Sequence, residues 1–155
     1  MFFWPVATAA LAALHPVPTD SGQPVALQSG VFVERVSVGP DGHEQRTLAT
    51  PAQLGQGDRV IFLVRYRNTG TTPIGNLSLV NAVPRTVRVE ADRPDMLVSV
   101  DGGASWGRLS TLSVRTPLGG TRRAVSDDVT HIRWAPRSAI APGATGQISY
   151  RGTIR

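Results

Sequence analysis

A two-residue alternation in the stretch from Gly57 to Pro84 is the sequence feature that most limits how the chain folds. Two sets of side chains alternate there: the first is Val60, Phe62, Val64 and Tyr66, and the second is Ile61, Leu63, Arg65 and Arg67. Successive side chains of a β-strand point to opposite faces of the sheet. We therefore predict a strand whose first set faces a core and whose second set passes from a covered region to solvent.

A turn is predicted at Asn68-Thr69-Gly70, because asparagine tolerates a left-handed φ and glycine adopts it at no steric cost. Pro73 prolongs the break, since proline cannot donate a hydrogen bond to a central ladder. The alternation resumes at Leu77 and Leu79 and ends at Pro84. The stretch is therefore predicted to contain two strands joined by this turn.

Further short strands are predicted along the chain, with turn signals about every 8–12 residues. Their ranges are Val31 to Val38, His43 to Thr50, Val87 to Asp92, Met96 to Val100, Leu109 to Val114, Thr130 to Trp134 and Gln147 to Arg155. The first two form a hairpin around Gly39-Pro40-Asp41-Gly42. Because no helical spacing follows residue 30, the expected fold is an antiparallel β-sandwich of about eight strands. Ile132, Trp134, Ile148 and Tyr150 are predicted core residues.

The chain of 155 residues is divided into three segments. Residues 1–14 (MFFWPVATAALAAL) carry no charged side chain and end in small residues, as the hydrophobic part of a signal peptide does, although no Lys or Arg precedes them. The run is shorter than the roughly 20 residues of a membrane span. The alternative is an apolar N-terminal helix packed on the domain. Residues 15–30 are predicted to be a linker, and residues 31–155 the β-sandwich.

Composition excludes several classes of function. The sequence has no cysteine, so disulfides, thiolate metal sites and cysteine nucleophiles are excluded. All 16 basic residues are arginine and the net charge is +5, but the arginines are scattered and alternate with apolar residues. No basic cluster with interleaved aromatic residues is present, and we therefore expect no nucleic-acid partner. A solvated, mildly cationic face is the preferred interpretation.

The segments GDRVIFLVRYRNTG and NLSLVNAVP resemble the conserved-repeat domain of bacteria and archaea, the domain of unknown function eleven. The matching residues are Gly57, Asp58, Val60, Tyr66, Asn68, Gly70, Asn76 and Pro84, and Ile140-Ala141-Pro142-Gly143 and Gly146-Gln147-Ile148 resemble the end of that domain. The resemblance implies an immunoglobulin-like fold over residues 31–155, in an exported or cell-surface protein without catalytic residues. Val80-Asn81 and Arg85 depart from the family's pattern, and so does the hairpin that precedes its core.

Ser99 to Trp106 (SVDGGASW) resembles the Asp-box hairpin of sialidases and other β-propellers. Asp101 is placed to accept hydrogen bonds from the amides of its own turn, and Trp106 to plug the hairpin. A propeller needs one such hairpin per blade, and one copy occurs here, so we interpret it as a structural turn. In the alternative interpretation Asp101, Ser105 and Trp106 contact a sugar.

Two catalytic or metal-binding interpretations are weaker. Gly103 to Gly107 fits the Gly-x-Ser-x-Gly pattern of serine hydrolases, with Ser105 as nucleophile and His131 downstream, but the helix that must follow the serine is not predicted. Asp127, Asp128 and His131 do not have a recognised metal-ligand spacing. We therefore predict no enzyme activity, no metal and no cofactor.

The predicted function is that of a non-enzymatic structural or protein-interaction module of the bacterial cell envelope or surface. A carbohydrate-binding accessory module is the alternative, and a serine hydrolase a remote one. The expected location is the periplasm or the cell surface and exterior, the expected partner an envelope protein or a glycan, and the mature chain is expected to have no transmembrane span.

Overall fold

The computed structural model describes residues 24–51, 53–91 and 93–155, and within them the fold is all-β. The predicted signal-peptide-like segment and residues 15–23 of the predicted linker lie outside the described residues. The strands are β1 Val25–Val38, β2 Glu44–Ala49, β3 Arg59–Asn68, β4 Leu79–Ala82, β5 Val87–Val89, β6 Met96–Ser99, β7 Ser113–Arg115, β8 Thr121–Arg123, β9 His131–Trp134 and β10 Thr145–Ile154. Two 3-10 turns, at Leu109–Thr111 and Ser126–Asp128, are the helical elements of these ranges. The predicted all-β class is confirmed, with ten strands where about eight were expected.

The strands form three antiparallel sheets. A five-stranded sheet has the order β2-β1-β3-β10-β5, a three-stranded sheet has the order β4-β9-β6, and β7 and β8 form a separate hairpin. The predicted turn at residues 39–42 joins β1 and β2, and the amide of Gly42 donates to the carbonyl of Gly39. β3 lies at the centre of the large sheet, where its alternating sequence gives it one buried face and one half-covered face.

The core lies between the five-stranded and three-stranded sheets. Phe62 of β3 and Tyr150 of β10 face each other in register and stack with their ring centroids 4.6 Å apart. Tyr150 also packs against Trp134 of the small sheet, at a centroid distance of 5.5 Å. Because these three rings join the two layers, the predicted sandwich and the predicted core positions of Trp134 and Tyr150 are confirmed. Ile132 is buried as predicted, and Ile148 is half-buried.

The corner after β3 is built around Asn68, whose side chain is fully buried. Its Nδ2 donates to the carbonyls of Thr72 and Ile140 at 2.8 and 2.9 Å, and its Oδ1 accepts from the amide of Gly70. The expectation of left-handed φ angles here is wrong, since neither residue has a positive φ. Glycine is needed at position 70 for another reason: a Cβ there would lie 2.4 Å from Pro24.

Two predicted boundaries are corrected by the pairing of the strands. β1 begins at Val25 rather than at Val31, because Val25 to Val33 pair along β3, so the predicted linker at residues 15–30 gives way to strand from Val25 onward. β3 and β4, predicted as neighbours across one turn, belong to different sheets. Between β3 and β4 the chain therefore passes from the five-stranded sheet to the three-stranded sheet, where β4 pairs with β9.

The stretch from Leu109 to Arg123 also differs from its prediction. The strand expected from Leu109 to Val114 is a 3-10 turn followed by the short β7. Thr121–Arg123, where no strand is predicted, pairs with β7 as β8. All three residues of β8 are exposed, so no apolar alternation was present in the sequence to predict this strand.

Candidate functional site

The hairpin from Ser99 to Trp106 connects β6 to the outer surface of the three-stranded sheet, and Asp101 organises it. One carboxylate oxygen, Oδ1, accepts from the amide of Ser105 at 2.9 Å and from the hydroxyl of Ser99 at 2.7 Å. The other, Oδ2, accepts from the hydroxyl of Ser105. Gly102 and Gly103 have φ angles of 78° and 96°, which glycine adopts without strain. Each polar group that the sequence singled out is thus bonded inside the turn.

The charge state of Asp101 follows from these bonds. The hydrogen bonds from the hydroxyl and amide of Ser105, and then from Ser99, hold the pKa of Asp101 well below its usual range. A carboxylate that is ionised at all ordinary pH values and accepts three hydrogen bonds is a poor proton donor. The arrangement therefore suits a fixed turn better than acid–base chemistry.

Trp106 packs on the outer side of the three-stranded sheet and is half-buried. The guanidinium carbon of Arg133 lies 4.6 Å from the centre of its ring, and the ring of His131 meets it edge-on at 6.5 Å. Gly107 then exchanges backbone hydrogen bonds with Val98, which closes the hairpin onto β6. Because a guanidinium already covers one face of the indole, the geometry favours the structural interpretation of Trp106 over a sugar-stacking one.

Ser105 and His131 are not arranged as a nucleophile and its base. The hydroxyl of Ser105 donates to Asp101, and Nδ1 of His131 lies 3.1 Å from the hydroxyl of its neighbour Thr130. The element that follows Ser105 is the 3-10 turn Leu109–Thr111, whereas a nucleophile elbow leads into an α-helix. The local context of the Gly-x-Ser-x-Gly pattern is therefore that of a hairpin.

Asp127 and Asp128 each bind an arginine. Asp127 accepts two hydrogen bonds from Arg88, at 2.6 and 3.1 Å, and Asp128 accepts two from Arg122, both at 2.7 Å. These bonds lower the pKa of both carboxyl groups. Among the described residues, no three His, Asp or Glu side chains come together as a metal site would require. The two ion pairs connect β5 and β8 to the second 3-10 turn, Ser126–Asp128.

The exposed surface includes a two-stranded arm whose exposure no sequence motif predicts. The far half of β1 and all of β2 extend beyond the core as a two-stranded arm, residues 34–49, which we call the β-arm. Three apolar side chains on it are largely exposed: Val36 at 52%, Val38 at 70% and Leu48 at 57%. The alternation in β1 was visible in the sequence, but nothing there showed that no other described strand would cover the arm.

Comparison with protein-family models, with curated proteins and with solved structures finds no match to this chain. The resemblance to the conserved-repeat domain therefore stays a prediction, carried by the residues quoted for it. Within residues 24–51, 53–91 and 93–155, no helix has the length and apolar character needed to cross a membrane.

Proposed function

We propose that this chain is an exported β-sandwich module that binds a partner in the cell envelope or at the cell surface and catalyses no reaction. The observation that carries the proposal is the state of the Asp101 turn. The residues that offered chemistry there, Asp101 and Ser105, bond to each other, and Asp101 also accepts a bond from Ser99. Groups engaged in this way stabilise a loop and are not free to act on a substrate.

The β-arm supports a binding role. β2 lies at the edge of the five-stranded sheet, and each of its six residues is exposed. An edge strand presents unpaired backbone groups, and proteins recognise one another by adding strands to such edges. Exposed apolar side chains next to that edge add area that a partner would bury.

The N-terminal sequence supports export. Residues 1–14 are apolar, uncharged and rich in alanine, which is the pattern of the hydrophobic part of a signal peptide. We expect cell fractionation to place the protein outside the cytoplasm, with a mature N-terminus between Ala7 and Pro24 by mass spectrometry, since β1 begins at Val25. A chain in which Leu11 and Leu14 are both changed to Arg should stay in the cytoplasm at its full length. Recovery of the unchanged chain from the cytoplasm, uncut, contradicts export.

Absence of catalysis is tested separately. We predict that purified protein hydrolyses p-nitrophenyl esters and glycosides no faster than the Ser105→Ala variant. Melting curves of both proteins establish that the substitution leaves the fold intact. Reproducible turnover that Ser105→Ala abolishes would defeat the non-enzymatic proposal.

A further inference from the structure

We infer that the outer face of the five-stranded sheet binds an acidic protein segment, with carboxylates on Arg65, Arg67 and Arg151 and apolar side chains on Phe32, Ile61 and Leu63. The outer face is the surface formed by the side chains of β1, β3 and β10 that point away from the core. The inference rests on the proposed binding function and names the chemistry of its partner.

The register of the three strands builds this face. Successive rows across β1, β3 and β10 are Ala26–Arg67–Thr145, Gln28–Arg65–Gln147, Gly30–Leu63–Ser149 and Phe32–Ile61–Arg151. Residues opposite one another in antiparallel strands share a face, so these twelve side-chain positions form one surface. An open depression of about 560 Å³ lies over the first two rows.

Positive charge on this face is not neutralised by the residues that the structure describes. Arg65, Arg67 and Arg151 are exposed, and none forms an ion pair with a carboxylate of the described residues. The nearby carboxylates are engaged elsewhere: Glu34 lies 3.7 Å from Arg46, and Glu90 lies 3.8 Å from Arg59. Three guanidinium groups on one face, without an ion pair to a described carboxylate, attract a negatively charged partner.

An apolar centre lies beside these arginines. Phe32, Ile61 and Leu63 are half-buried and lie outside both core clusters of the sandwich. The ring of Phe32 leans over Gly30, where an added Cβ would be 3.2 Å from it. The exposed apolar residues of the β-arm, Val36 and Val38, continue the same face because they alternate in step with Phe32.

This combination selects a protein partner among anionic molecules. Protein interfaces combine an apolar centre with a polar rim and are enriched in arginine and aromatic residues. A single-stranded nucleic acid needs several aromatic stacking platforms, and Phe32 is the one aromatic residue in the four rows. A second copy of the chain would bring its own arginines against these three, and like charges repel.

The test is a selection of random twelve-residue peptides, displayed on phage, against the purified full chain. We expect the enriched peptides to combine Asp or Glu with Leu, Ile, Val or Phe. Synthetic copies are then titrated by fluorescence anisotropy. Arg65→Gln/Arg67→Gln should raise the Kd roughly three- to thirtyfold, the range that loss of two exposed ion pairs produces.

A matched control separates the effect of the outer-face arginines from the effect of net charge on binding. Arg115→Gln/Arg123→Gln removes two exposed arginines from the β7–β8 hairpin and lowers the net charge of +5 by the same amount. We expect this variant to bind within twofold of the unchanged protein. Leu63→Thr, which replaces an apolar side chain by a polar, β-branched one of high strand propensity, should weaken binding without changing the charge.

Four results would overturn the inference. They are enrichment of neutral or basic peptides, no enrichment at all, equal weakening by the two double variants, and tighter binding of polygalacturonate or single-stranded DNA than of the selected peptides. Any of them leaves the export result intact, so failure of this inference is distinguishable from failure of the proposed function.

Discussion

Replacement of Tyr150 by Phe is predicted to cost about 1–3 kcal/mol of folding free energy, although it removes a single oxygen atom. The hydroxyl of Tyr150 accepts a hydrogen bond of 2.9 Å from Nδ2 of Asn81, and the two residues are 1% and 4% exposed. Oδ1 of Asn81 already has no hydrogen-bond partner among the described residues. Loss of the hydroxyl therefore removes the bond made by Nδ2, and both polar atoms of the Asn81 amide are then buried without a partner at Tyr150. The cost is the desolvation of the amide.

The double variant tests this reasoning more sharply than the single one. Tyr150→Phe/Asn81→Leu removes both partners and replaces them by apolar groups, which is nearly neutral when the shapes are kept. We expect its urea midpoint to lie above that of Tyr150→Phe, with unfolding followed by tryptophan fluorescence. Tyr66→Phe, at a half-buried tyrosine, serves as the control and should change stability by less than about 0.5 kcal/mol. If the loss in the double variant equals the sum of the losses in Tyr150→Phe and Asn81→Leu, the account of this pair is refuted.

Three further outcomes are expected. Trp134→Ala should destabilise the fold by about 3–5 kcal/mol, because it empties a buried site against Tyr150, and an unchanged melting midpoint would show that the ring contributes little. Gly152→Ala should lower the melting temperature, since its Cβ would lie 2.6 Å from Cγ1 of Val87, whereas Gly75→Ala, with nothing within 4 Å, should not. Burial raises the pKa of Tyr150 in the folded state, although the bond from Asn81 opposes the shift. The unfolded chain therefore loses this proton first, and the stability should be complete below about pH 10 and fall as the pH rises above it, a loss that Tyr150→Phe lacks.

Local sequence predicted the strands whose alternation is strong. β3 buries alternate apolar side chains, β10 turns Ile148, Tyr150 and Ile154 towards the core, and the turn before β2 carries glycine and proline, so the sequence predicts these elements. β8 was missed because its residues Thr121–Arg123 are all exposed, and β7 pairs with it through the turn at Thr116 to Gly120. Where neither burial nor a strong propensity acts, the pattern of side chains contains no signal for a strand.

The partners of the strands, and hence the surface, depend on contacts between distant segments. The arginines of β3 were predicted to face solvent, but their position in rows with Gln28 and Gln147 follows from registers between segments far apart in the chain. The turn around Asp101 was predicted correctly as a local structure. The cover that Arg133 places on Trp106 was not, because it depends on the pairing of β9 with β6, two segments far apart in the chain.

Photo-crosslinking in living cells tests the central claim, that an exported module binds a partner through the outer face. Benzoylphenylalanine is placed at Ser149 on the outer face or at Ser105 in the Asp101 turn, in otherwise unchanged chains. We predict one defined protein adduct from position 149, in the exported fraction, that disappears when Arg65 and Arg67 are also changed to Gln. An adduct that forms only from position 105, or that survives loss of both arginines, would contradict the account.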